Sequence, residues 1–174
     1  MSTADQTLTG ERADLAETLA KHRGFLRFTT RDLTDEQAAK RTTVSELCLG
    51  GLIKHVTQVE RGWAAFIEAG PSAMGSWDHP AQMQAYLDGF RMLPGETLAA
   101  LLDDYAAVAR ATDELLARLP DLDASHPLPQ APWHAAGSRW SARRVLLHII
   151  AETSQHAGHA DIIREAIDGA KTMG

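Results

Sequence analysis

The chain has 174 residues, 44% hydrophobic and 23% charged, enough apolar material for one domain with a sizeable core. Its formal net charge is −6, and no run of Lys or Arg forms a stripe able to follow phosphates or anionic lipid. Nucleic acid and membrane surfaces are therefore not expected as partners. The opening MSTADQTLTG lacks the basic and apolar regions of a signal peptide, and no segment approaches the ~18 consecutive apolar residues of a spanning helix. The single cysteine, Cys48, cannot pair internally, so a cytoplasmic location is expected.

Ala and Leu dominate, and Val/Ile runs are rare, which points to an all-α fold. The expected domain spans residues 1–174, with a frayed tail over residues 1–9. The stretch ERADLAETLAKHRGFLRFTT carries Leu15, Leu19 and Leu26 at helical spacing and is the first helix. TDEQAAKR reads as a polar connection, and Thr43 to Glu46 (TVSE) has the capping-box form that opens a second helix. That helix runs to about Glu68 and stops at Gly70-Pro71. Residues 71–95 form a long connection with one short helix near residues 80–90, and ETLAALLDDYAAVARATDELLARL is the third long helix, ending at Pro120. A proline-rich loop then leads to Ser141, the N-cap of a fourth helix that ends at Gly169. Four such helices predict a four-helix bundle. The long crossover between helices two and three lets them run parallel, giving up-down-down-up order.

The last helix carries polar residues where a core helix needs apolar ones. At about 100° per residue from Glu152, Val145, Ile149, Ile163 and Ile167 all fall within about 60°, and so do His148, His156 and His159. On the second helix His55 lies within about 80° of Cys48, Leu52, Val59, Trp63 and Phe66. An unpaired buried carboxylate costs several kcal/mol, and no Lys or Arg of the last helix faces the same way as Glu152. A divalent metal answers this. Glu152 and His156 are one turn apart, and His55 completes a three-ligand set with room for water, the pattern of a catalytic zinc site. A hydrogen-bonded polar network without metal, and a solvent-facing helix, are the alternatives that the pattern leaves open.

Other residues have plainer readings. Taken singly, His22, His55 and His148 read as hydrogen-bonded core histidines, Trp63, Phe66 and Phe25 as core, and Cys48 as inert packing. The charges of ERGW (residues 60–63), Asp103-Asp104 and Arg143-Arg144 read as solvated or helix-end groups. His79, His126 and His134 lie in loops where they could border a cleft.

The segments GGLIKHVTQVERGW and ETSQHAGHADIIREAIDG resemble the DinB/YfiT-like superfamily of metal-binding four-helix bundles, and the resemblance covers most of the chain. Its members take one metal ligand from a His of the second helix and two from the last helix, usually as His-x3-His. His55 and His156 match two of those positions and Glu152 stands at the other. The mycothiol-dependent maleylpyruvate isomerase branch is similar in placing His, Glu and His around zinc with this Glu-x3-His spacing. His159 falls where many relatives carry Gln after Gly, which implies a residue that supports the ligands or contacts substrate.

The resemblance implies a metal-dependent enzyme that activates a low-molecular-weight, mycothiol-like thiol for S-transfer to, or isomerisation of, an electrophilic small molecule. The metal expected is Zn²⁺, with Ni²⁺ or Fe²⁺ as alternatives, and a thiol held on such an ion ionises at neutral pH. Homodimers are common in the superfamily. The Trp and Met residues of the 71–95 connection would supply an apolar patch for self-association. Two other functions use the same residues. One is a hydrolase with a metal-bound water, in which Glu152 or His159 assists proton transfer. The other is a non-catalytic, metal-stabilised binding or stress-response module. Two His and one carboxylate would also serve an iron oxygenase. A ferritin-like di-iron centre is disfavoured, because Gln155 stands where Glu-x-x-His would need its histidine.

Overall fold

The computed structural model describes residues 8–74, 80–129 and 134–172. Its elements are α1 (Glu11–Phe28), α2 (Asp35–Ala39), α3 (Leu49–Ala69), a 3₁₀ turn (Gly70–Ala73), α4 (Pro80–Asp88), α5 (Leu98–Arg118), β1 (Ser125–Pro127), β2 (Arg139–Ser141) and α6 (Ala142–Asp168). The fold is mostly helical, as its composition requires. The four long helices, α1, α3, α5 and α6, pack along one another. The tail expected over residues 1–9 lies largely outside the described residues, as do Trp77 and His79.

Two apolar layers fill the interior. One gathers Leu15, Leu19, Phe66, Leu116, Leu146 and Ile149, and the other Leu26, Leu52, Ile53, Val56, Tyr105 and Ile163. Between them lie buried polar residues from all four long helices, among them Arg23, Glu60, Thr112 and Thr153. Arg23 grips Glu60 through Nη2 at 2.5 Å and Nε at 3.2 Å, and its Nη1 reaches Asp113 at 2.8 Å. The two threonines return their hydroxyl protons to Val108 and Ile149, one turn back on their own helices. Glu60 is thus no solvated charge. Its partner comes from a different helix, which a reading of α3 alone does not display.

Helix ends follow their capping chemistry, with one displacement. Ser141 caps α6 by accepting from Arg144 N, and Gly169 closes that helix in the left-handed conformation at φ 78°. Thr43 to Glu46 does not open α3. Thr43 Oγ1 accepts from Ser45 N, Ser45 Oγ accepts from Leu47 N, and Glu46 turns outward to Arg41. Each hydroxyl is satisfied two residues on, which competes with the three-residue reach of a cap. Helix α3 starts later, at Leu49. The true capping box is Thr34 with Gln37, so the polar connection TDEQAAKR contains the short helix α2.

Gly50 and Gly51 bring the chain after α4 against the first turn of α3. A Cβ on Gly51 would lie 2.0 Å from the Phe90 carbonyl oxygen, and one on Gly50 would lie 2.2 Å from Met92 Sδ. Only glycine permits that approach. It places Phe90 one turn from His55. On the other side, β1 and β2 pair antiparallel, with His126 opposite Trp140, and set Trp140 at the entry to α6.

Candidate metal centre

His55 is buried on α3, and Glu152 and His156 lie one turn apart on α6. Their donor atoms all fall within 4.8 Å of one another. Glu152 Oε2 is 3.6 Å from His156 Nε2 and 4.0 Å from His55 Nε2, and the two imidazole centroids are 4.8 Å apart. Bonds of about 2.1 Å to a tetrahedral ion set donors about 3.4 Å apart, so this triangle is within small side-chain adjustment of a coordination set.

Charge supports the fit. Burial pushes the His55 imidazole down to about 4; His156 adds to that shift and Glu152 opposes it. The Glu152 carboxyl is held below its usual range, first by the hydrogen bond from His156, then by the nearby charges of His148, His156 and His55, against the opposing effect of burial. At neutral pH His55 therefore offers a lone pair beside an anionic carboxylate. Among the described residues, every ion-pair partner of Glu152 is an imidazole, and none is Lys or Arg. The arrangement, a half-buried anion beside imidazoles, is consistent with a site for a divalent metal ion.

The surroundings are aromatic. Phe90 stacks on His55 with ring centroids 4.0 Å apart, and Tyr86 meets it edge-on at 6.2 Å. His159 Nδ1 is 3.4 Å from His156 Nδ1, so His156 keeps Nε2 for the carboxylate side while Nδ1 faces a second imidazole. All four sequence-selected residues, His55, Glu152, His156 and His159, thus come together.

His148 joins them, although singly it reads as a core histidine. Its Nε2 is 3.8 Å from Glu152 Oε1. The signal was present in the sequence as a second i,i+4 step, His148 to Glu152, beside that of Glu152 to His156. Phe90 and Trp140 carried no such signal, because Phe90 follows α4 and Trp140 is placed by the pairing of β1 with β2. His126 and His134 spend a ring nitrogen on the carbonyls of Ile67 and Pro129, and Cys48 is buried with Sγ 4.0 Å from the Phe90 carbonyl.

Comparison with known proteins bears on the fold and the family. A protein of Enterococcus faecalis, described as a conserved protein of locus, has a crystal structure that superposes with a TM-score of 0.66 at 15% identity, covering 94% of this chain and all of that one. At that identity the likeness speaks for the fold alone. No curated protein sequence matches this chain significantly. A family model described as Mycothiol-S-transferase matches residues 14–169. That range takes in His55, Glu152 and His156 together with all four long helices, and the chain belongs to this DinB/YfiT-like mycothiol S-transferase family.

Proposed function

We propose that the protein is a metal-dependent thiol S-transferase or isomerase that uses a mycothiol-like thiol against an electrophilic small molecule. The observation that carries the reading is the anionic Glu152, whose ion-pair partners among the described residues are all imidazoles, converging with His55 and His156 in a chain of this family. Those three residues would hold the ion, Zn²⁺ first, with Ni²⁺ or Fe²⁺ as alternatives. A divalent ion so held lowers the pKa of a coordinated thiol and makes it a nucleophile at neutral pH, without a protein cysteine.

The chain's own residues do the rest. With an ion held by Nε2, His156 would donate a hydrogen bond from Nδ1–H to His159 Nδ1, which would hold its tautomer; His159 is also the base of this reading for proton handling near substrate. Glu152 supplies the negative charge, and its carboxylate is the second group able to take up a proton. Phe90 covers one face of His55 and keeps water from it.

The frame for this site is read as up-down-down-up. That order is supported by pairs at matching ends: Glu11 with Arg143 and the Thr29 carbonyl with Arg164 for α1 along α6, and Lys54 with Glu96, Arg61 with Asp104 and Glu68 with Arg118 for α3 along α5. A cytoplasmic setting, a homodimer, and the absence of nucleic-acid and membrane partners belong to the same proposal. No described helix is long and apolar enough to cross a membrane. The exposed Met83, Tyr86 and Leu87 of α4 offer an apolar face for self-association.

Metal analysis of purified protein, followed by a thiol-dependence assay on a panel of electrophiles, tests the reading. One divalent ion per chain, with turnover needing both thiol and ion, is the expected result. Turnover by water alone would move the assignment to a hydrolase, and bound ion without turnover on any substrate would leave a metal-stabilised module.

A further inference from the structure

Trp63 and Trp140 come from different elements yet stack nearly parallel, with ring centroids 4.7 Å apart and planes 20° apart. The Arg144 guanidinium lies over the Trp140 ring at 4.2 Å, so Trp140 packs against a cation as well as Trp63. Such a stack has little freedom to turn. His148 stands edge-on to both indoles, with its centroid 5.0 Å from each. An imidazole held against two fixed rings keeps one orientation, and here Nε2 comes within 3.8 Å of Glu152 Oε1.

Glu152 therefore has its two oxygens divided. Oε2 lies toward His55 and His156, and Oε1 lies toward His148. The spacing explains the division: Arg144, His148, Glu152 and His156 follow one another at every fourth residue of α6, so successive turns deliver the cation, the imidazole, the carboxylate and the second imidazole to one face, while β2 brings Trp140 to the start of that row. A carboxylate on a flexible side chain loses affinity for an ion through its free rotation, and a donor to its second oxygen removes that freedom. The 3.8 Å separation is about 1 Å longer than a hydrogen bond to a charged group, a gap that side-chain torsion closes.

We propose that His148 is a positioning residue: clamped by Trp63 and Trp140, it donates from Nε2 to Glu152 Oε1 and thereby presents Oε2 to the ion shared with His55 and His156. The proposal rests on the metal reading above. It goes beyond that reading by giving a role to a histidine and two tryptophans outside the ligand set.

Two polar replacements isolate reach from polarity. The amide of His148→Gln can place N–H near the position of Nε2, whereas that of His148→Asn is too short to do so. Zn²⁺ affinity, measured by competition with a chromophoric chelator, is expected to stay within about threefold of wild type for H148Q and to fall about 10- to 100-fold for H148N. Chelated forms of all three proteins should melt together, since the clamp and core are unchanged. Equal Zn²⁺ affinity in H148N and wild type, with the wild type binding tightly, overturns the positioning role and leaves the metal reading intact. A matching loss of melting temperature in the chelated H148N overturns it too, because the histidine would then be a packing residue. A wild type that binds no Zn²⁺, Ni²⁺ or Fe²⁺ overturns both.

Discussion

Among the described residues Glu152 faces three imidazoles and no Lys or Arg, so its charge is the most sensitive quantity in the site. Glu152→Gln keeps the shape but replaces an anionic donor by a weak neutral one. Metal affinity should drop at least about 100-fold while the fold survives, as read by metal content and circular dichroism. With metal at a hundredfold excess over its dissociation constant, chelator should lower the wild-type melting temperature by about 5–10 °C and that of Glu152→Gln by far less. Equal metal content and equal chelator response in the two proteins would reject the ligand assignment. His55 supplies a pH test. Its pKa is about 4 in the folded chain against the usual 6.5, so between those values the unfolded chain binds more protons. Stability of the chelated protein should therefore decline as pH falls from 6.5 to 4, by on the order of 1–3 kcal/mol, and level off below. His55→Gln should flatten that slope in urea titrations. The wheel positions of His55, Glu152, His156 and His159 made this convergence legible, because α3 and α6 are regular. What they could not convey was the partner chosen across helices, as with Glu60 and Arg23, or the ring brought by a loop, as with Phe90.

At the level of elements, glycines on regular helices have opposite meanings according to what they touch. Gly51→Ala would drive a methyl against the Phe90 carbonyl, and backbone must move to accept it. A loss of about 1–3 kcal/mol is expected in denaturant titration, together with faster modification of His55 by an imidazole reagent as Phe90 lifts away. Gly158→Ala meets nothing within 4 Å on the exposed side of α6 and should instead stabilise by about 0.5–1 kcal/mol. A destabilised Gly158→Ala would show that something packs on that face. The ends of α6 were legible because Ser141 and Gly169 act through local geometry alone. The start of α3 was not: the Ser/Thr-x-x-Glu pattern at residues 43–46 admits both a cap and two successive hydroxyl turns, and the ion pair of Glu46 with Arg41 favours the turns. The pairing of β1 with β2 depends on residues 12 to 16 apart and left no periodic trace.

Over the whole molecule, a belt of polar side chains separates two apolar layers, and Arg23 with Glu60 is its charged clasp. Glu60→Ala would leave the buried guanidinium with Asp113 alone and should cost about 3–5 kcal/mol in unfolding free energy. Replacing both partners at once, as Arg23→Met with Glu60→Leu, should recover most of that loss, because two apolar groups need no partner. A double variant as unstable as Glu60→Ala would mean that the pair stabilises by more than its mutual attraction. The helical class and the count of long helices were legible from Leu spacing and from Pro and Gly punctuation. The belt was not, because its charged members find their partners on other helices, as Arg23 finds Glu60 and Asp113, and no single helix displays that pairing.

The span between His55 and Glu152 gives the site a further meaning in polymer terms. Any ion gripped by both pins two points about a hundred residues apart along the chain, nearly the whole distance from the second long helix to the last. A cross-link of that loop length removes on the order of 4–5 kcal/mol of chain entropy from the unfolded ensemble, in the simplest account. The ion would then act as a reversible staple that closes the bundle across α3 and α6, and its release would loosen the two ends of the fold together.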